Sequence, residues 1–63
     1  MIRILIAEDE TLVRSGIRTL LERQEGMTVV AEATDGEEAL ARLRYGIDVA
    51  LLDVRMNVQA SLA

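Results

Sequence analysis

Residues 2–7, Ile-Arg-Ile-Leu-Ile-Ala, are almost continuously apolar and rich in β-branched side chains, the pattern of a strand covered on both faces. They predict a central strand. From Thr11 to about Gln24 the apolar positions Val13, Ile17, Leu20 and Leu21 recur at i, i+4, i+7 and i+8, with Arg14, Arg18, Glu22 and Arg23 turned elsewhere. That spacing predicts an amphipathic helix, stopped by Glu25-Gly26, where glycine can take a left-handed cap. Residues 27–33, Met-Thr-Val-Val-Ala-Glu-Ala, read as a second strand. Asp35-Gly36 marks a turn, and Asp35 with Glu38 three residues on forms a capping-box pattern. Ala39, Leu40 and Leu43 then supply the stripe of a second helix ending near Gly46, and Ile47–Val54 is a third strand, continuously apolar from Val49 to Leu52.

The predicted order is therefore β-α-β-α-β. No strand pair is joined by a hairpin signal, and each connection has room for a crossover helix, so the sheet should be parallel. Right-handed crossovers with the first strand in the middle give the strand order 2-1-3 and put the helices on opposite faces. This is an α/β, doubly wound arrangement. Its crevice lies at the carboxyl ends of the first and third strands, where the winding reverses.

Both of those strands end in acid. Glu8, Asp9 and Glu10 follow the first, and Asp53 follows the apolar run of the third. Taken alone, the first group is better explained by the helix that follows it than by a metal site, since acids suit the positive end of a helix dipole. Taken with Asp53 at one switch point, Glu8 and Asp9 become a candidate cation site, because gathered like charges raise one another's proton affinity and are relieved by a cation. Hard oxygen ligands favour Mg²⁺, with Mn²⁺ as the alternative. Asp53 is then placed to act as a nucleophile on a phosphoryl group. A nucleotide-binding half-fold is disfavoured, since the first strand leads into Glu-Asp-Glu-Thr-Leu and not a glycine-rich loop.

Composition narrows the chemistry further. The chain of 63 residues has no Cys and no His, which excludes thiolate or imidazole zinc sites and a Ser-His-Asp hydrolase. Seven basic residues, all Arg, stand against eleven acids for a net charge of −4, which argues against nucleic-acid binding by this segment. The longest apolar runs fall far short of a membrane span, and Met1 opens directly into a strand-like run, so a cytoplasmic location is expected. A hydrophobic fraction of 51% is high for so short a chain and implies apolar surface meant for a neighbour. A homo-oligomer is expected.

The stretches "ILIAEDE", "LVRSGIRTLLE", "VVAEATDGEEAL" and "DVALLDVRM" resemble the amino-terminal half of a response-regulator receiver domain, the phosphoacceptor module of two-component signalling. The stretch "VRSGIRTLL" also resembles the subgroup with a helix-turn-helix output domain. The resemblance covers residues 1–56 as a partial receiver domain and leaves 57–63 as a tail outside the family pattern, expected to be a short helix. It implies a truncated flavodoxin-like fold, Asp53 as the phosphoacceptor, and Mg²⁺ held by Glu8, Asp9, Asp53 and the backbone carbonyl of Arg55. A histidine kinase would donate the phosphoryl group, and any catalysis would amount to Mg²⁺-dependent self-phosphorylation on Asp53. Departures accompany the match: Glu8 stands where many receivers have Asp, Asn57 where Pro is usual, and the phosphate-contacting Lys of the family has no counterpart in a chain without Lys. Impaired phosphorylation is expected. The alternative is a self-associating half-domain, joined through the open edge of the third strand, whose acidic pocket is silent.

Overall fold

In the computed structural model, which describes residues 1–53, three strands and two helices follow in the order β1 (Ile2–Ala7), α1 (Thr11–Glu22), β2 (Met27–Ala33), α2 (Gly36–Arg42) and β3 (Val49–Leu52). A single turn of 3-10 helix, Leu43–Tyr45, extends α2. The expectations for the Arg55 carbonyl, the boundary at residue 56 and a helix within 57–63 lie outside the described residues.

The sheet has the order β2-β1-β3, with both pairings parallel. β1 is central because it is the most apolar strand: Ile4, Leu5, Ile6 and Ala7 are all buried. Its side chains alternate between two small cores. Ile4 and Ile6 join Val29 beneath Ile17 and Leu21 of α1, while Leu5 and Ala7 join Ala33 and Ala39 on the α2 side. One helix on each face is the outcome of two right-handed crossovers.

The β1–β2 register contains a bulge. Ile4 lies opposite Val29 but Leu5 lies opposite Ala31, so Val30 has no partner across the ladder. Beyond the bulge the parity of β2 is inverted, which brings Glu32 opposite Ile6 on the α1 face.

The ends of the elements are set by identifiable contacts. Asp35 caps α2 by accepting from the Glu38 N–H at 2.8 Å, and Glu38 accepts in return from the Thr34 N–H at 2.8 Å, so the reciprocal bond of the capping-box pattern is shifted to the residue before the cap. Gly26 and Gly46 take positive φ, 82° and 74°, where a side chain would be strained. Arg3 fastens the Gly46 corner: its Nε donates to the Gly46 carbonyl and its Nη2 to the Tyr45 carbonyl, both at 2.8 Å.

Helix α1 ends at Glu22 and not at Gln24, and only Ile17 and Leu21 of its apolar stripe are packed. Leu12 and Leu20 are largely exposed. Gly16 of α1 has no atom outside its own helix backbone within 4 Å of where its Cβ would stand. β3 is exposed along its whole length and pairs with β1 on one side, with no second neighbour among the described residues.

Candidate functional site

The ladder hydrogen bonds carry the sheet one step past its formal ends and so position the acids. The Glu8 N–H donates to the Ala33 carbonyl at 3.0 Å, and the Asp53 N–H donates to the Ala7 carbonyl at 3.2 Å. Glu8 and Asp53 thus stand on adjacent strands at the carboxyl edge of the sheet, where the switch point was expected. Asp9 follows on the turn into α1. One carboxylate oxygen from each of Glu8, Asp9 and Asp53 lies within 4.8 Å of the others. The three differ in exposure: Glu8 is only 4% exposed, Asp53 is half-buried and Asp9 faces solvent.

Glu8 is held by opposing influences. Its Oε2 accepts from the Glu10 N–H at 3.0 Å, which lowers its pKa, but burial and the neighbouring Asp9 and Asp53 carboxyls outweigh that bond. The net shift is upward from the ordinary 4.5. Folding therefore holds a carboxyl where its charge is disfavoured.

The acids Glu8, Asp9, Glu10 and Asp53 line an open cavity of about 240 Å³. It adjoins a mostly apolar groove of about 390 Å³ between α1 and β3, lined by Ile6, Ala7, Ile17, Leu51 and Leu52 together with Glu8 and Asp53. Three carboxylates open to solvent on one side fit a hard divalent cation, which takes one or two protein carboxylates and retains several waters. The donor set suits Mg²⁺ better than zinc, for which nitrogen or sulfur ligands would be expected.

Two residues at this end of the molecule were not distinguished by sequence reasoning. Arg14, expected on a solvated helix face, is instead mostly buried, with 16% of its side chain exposed. Its Nη1 donates to the Glu8 carbonyl at 2.8 Å and its Nε to Glu32 Oε1 at 3.1 Å. Arg18 pairs with the other oxygen of Glu32. The available signal was Glu32 itself, the lone charge in a strand that is otherwise apolar apart from Thr28.

The family model for the response regulator receiver domain matches residues 4–60. The chain belongs to that family, and the parallel β-α-β-α-β arrangement in order 2-1-3 is the part of its doubly wound fold seen here. It is 46% identical over 57 residues to the response regulator UvrY of Escherichia coli strain K12, covering 89% of this chain and 26% of that protein. The response regulator GacA of Pseudomonas viridiflava is similar to the same degree, with 27% of its length covered. The uncharacterized transcriptional regulatory protein YvfU of Bacillus subtilis is 43% identical over 63 residues, 98% of this chain and 32% of that protein. The chain thus spans about a third or less of the length of these relatives. No solved structure gives a significant match. Among the described residues no helix is long and apolar enough to cross a membrane.

Proposed function

We propose that the chain is a phosphoacceptor unit of two-component signalling, in which an Asp53 carboxylate oxygen attacks the phosphorus of a phosphohistidine on a histidine kinase. An O–P bond forms at Asp53, the P–N bond of the donor breaks, and the departing imidazole takes its proton from solvent. The observation that carries this reading is the meeting of Glu8, Asp9 and Asp53 within 4.8 Å at the switch point of a receiver-family sheet. Glu8 and Asp9, with Asp53 and the Arg55 carbonyl, would hold Mg²⁺. When bound, that ion offsets the repulsion between the carboxylates and an incoming phosphoryl group.

The chain's own residues perform the remaining work. Glu8 is locked by the Ala33 carbonyl and the Glu10 N–H, so its carboxylate cannot swing into bulk water without breaking a hydrogen bond. Asp53 is fixed by its N–H on the Ala7 carbonyl, half-buried beside Leu51 and Leu52, and presents its carboxylate to the open cavity. No Lys from these 63 residues can contact the transferred group, so phosphorylation by this chain alone should be slow. A cytoplasmic location belongs to the same reading and rests on family membership.

Incubation with Mg²⁺ and an acyl phosphate tests the proposal. A mass increase of one phosphoryl group that is absent in Asp53→Asn supports it. No increase in the wild-type chain, under conditions that label a longer receiver, overturns it for these residues.

A second reading is favoured by one further observation. Among the described residues β3 has no partner along its outer edge, and Val49, Leu51 and Leu52 are exposed beside it. Two copies meeting there around a two-fold axis would form a six-stranded sheet and cover this apolar surface. In that case the chain is a self-associating module with a silent acidic pocket. A monomeric mass by light scattering at high protein concentration removes this reading.

A further inference from the structure

The turn Glu8–Glu10 gathers three acids, and Asp53 stands opposite. One carboxylate oxygen from each of Glu8, Asp9 and Asp53 lies within 4.8 Å of the others, a spacing at which like charges repel and their placement needs support. Arg14 makes two hydrogen bonds to this turn. Its main-chain N–H donates to the Glu10 carbonyl at 2.9 Å, and its Nη1 donates to the Glu8 carbonyl at 2.8 Å. Its Nε is simultaneously anchored on Glu32 Oε1 at 3.1 Å, and Glu32 is braced from its other oxygen by Arg18. The chain of contacts therefore runs from the turn, through a mostly buried guanidinium, to β2. It exists only because the bulge at Val30 places Glu32 on the α1 face.

We propose that Arg14 is a positioning residue for the cation site: braced on Glu32, it fixes the Glu8 carbonyl and so holds the Glu8 and Asp9 carboxylates toward Asp53. The inference rests on the reading of Glu8, Asp9 and Asp53 as a Mg²⁺ site and adds to it the group that preorganises those ligands. A planar guanidinium suits the task because it donates from two nitrogens in fixed directions, one to a carbonyl and one to a carboxylate. A Lys ammonium in its place keeps the charge but offers no such fork.

The competing explanations differ in sign. A simple clasp between α1 and β2 would lower stability when removed and leave the Mg²⁺ affinity of the folded protein unchanged. A purely electrostatic influence would make Mg²⁺ bind more tightly once the Arg14 charge is gone, because a cation would no longer be repelled. Positioning alone predicts weaker binding on removing the guanidinium, even when the charge is kept.

The experiment is a Mg²⁺ titration of the 63-residue chain by calorimetry, on the wild type, Arg14→Met, Arg14→Lys and Glu8→Gln, each first shown to be folded by circular dichroism. Binding to the wild type that is weakened or lost in Glu8→Gln supports the site itself. Arg14→Met and Arg14→Lys should each then bind at least about tenfold more weakly, the usual consequence of losing a partner that orients a ligand. Unchanged or tighter binding in both Arg14 variants, with a binding wild type, overturns the positioning role and leaves the site standing. A wild type that binds no Mg²⁺ overturns both. Should Arg14→Met fail to fold, Glu32→Leu takes its place, since it removes both acceptor oxygens of the brace while keeping Arg14. In the metal-free protein the backbone order parameters at Asp9 and Glu10 should fall in the Arg14 variants while that of Leu5 in the core stays constant, and equal values at Asp9 and Glu10 count against the proposal.

Discussion

Replacing Asp53 by Asn should reverse its effect on stability according to whether Mg²⁺ is present. Asp53 belongs to three carboxylates gathered within 4.8 Å, and it is among the groups that push the Glu8 carboxyl up. In EDTA the substitution removes one of three like charges with little change of shape, so the variant should be the more stable protein. In Mg²⁺ the order should invert if Glu8, Asp9 and Asp53 form the proposed cation site, because the wild type alone would keep all three of its carboxylates. At free Mg²⁺ about 100 times the dissociation constant, linkage stabilises the binding protein by about 2.7 kcal/mol. A domain of 63 residues is expected to have only about 3–9 kcal/mol in total, so the increment is large. For a domain of this size it corresponds to a rise of roughly 10–20 °C in melting temperature. The acid–base sign follows from Glu8. Its folded pKa lies above the ordinary 4.5, so its contribution to stability is present below 4.5 and is lost as pH rises through the folded value. The metal-free wild type should lose stability over that interval, and Mg²⁺ should reverse the trend because it binds the ionised form. The assay is urea unfolding followed by far-ultraviolet circular dichroism, with NaCl at matched ionic strength to separate binding from screening. A wild-type midpoint that Mg²⁺ leaves unmoved relative to NaCl, or an Asp53→Asn midpoint that Mg²⁺ raises equally, would refute the reasoning.

Leu5→Ala should cost about 2–5 kcal/mol, because Leu5 is fully buried in a cluster with Ala7, Ala31, Ala33, Ala39 and Ile47, and its loss leaves a cavity at the centre of the sheet. A urea-unfolding loss under about 1 kcal/mol would contradict this packing. Glu38 titrates in the opposite sense to Glu8: hydrogen bonds from the Thr34 N–H and hydroxyl hold its carboxyl below 4.5, so its contribution is present above 4.5 and lost as pH falls through the folded value. Glu38→Gln should flatten that acid-side loss, and an unchanged pH profile below 4.5 would count against the capping box. Gly46→Ala should destabilise by about 1–2 kcal/mol through its positive φ alone, since the nearest atom to an added Cβ, Arg3 Nε, stands at an unstrained 3.6 Å. Equal unfolding midpoints for the two proteins would remove that account.

Much of this architecture is legible in local periodicity. Ile2–Ala7 is central because it is apolar on both sides of the pleat, and right-handed crossovers then leave the order 2-1-3 as the natural outcome. The same reasoning brings Glu8, Asp9 and Asp53 together, since a doubly wound sheet sends the ends of its first and third strands to one crevice. The unused half of the α1 stripe was not legible. Val13 and Leu20 remain exposed because periodicity reports which residues share a helix face but not how much sheet lies beneath it, and among the described residues the three strands cover only Ile17 and Leu21.

The sequence by itself determined the elements, their order and the convergence of the acids, because each follows from side-chain spacing and the handedness of the chain. Tertiary structure alone decided the surroundings of those acids. One unpaired residue, Val30, inverts the faces of the end of β2, swings Glu32 beneath α1 and so draws Arg14 from solvent onto the Glu8 carbonyl. A bulge depends on the register between two strands, and register is a property of the pair that neither strand carries alone.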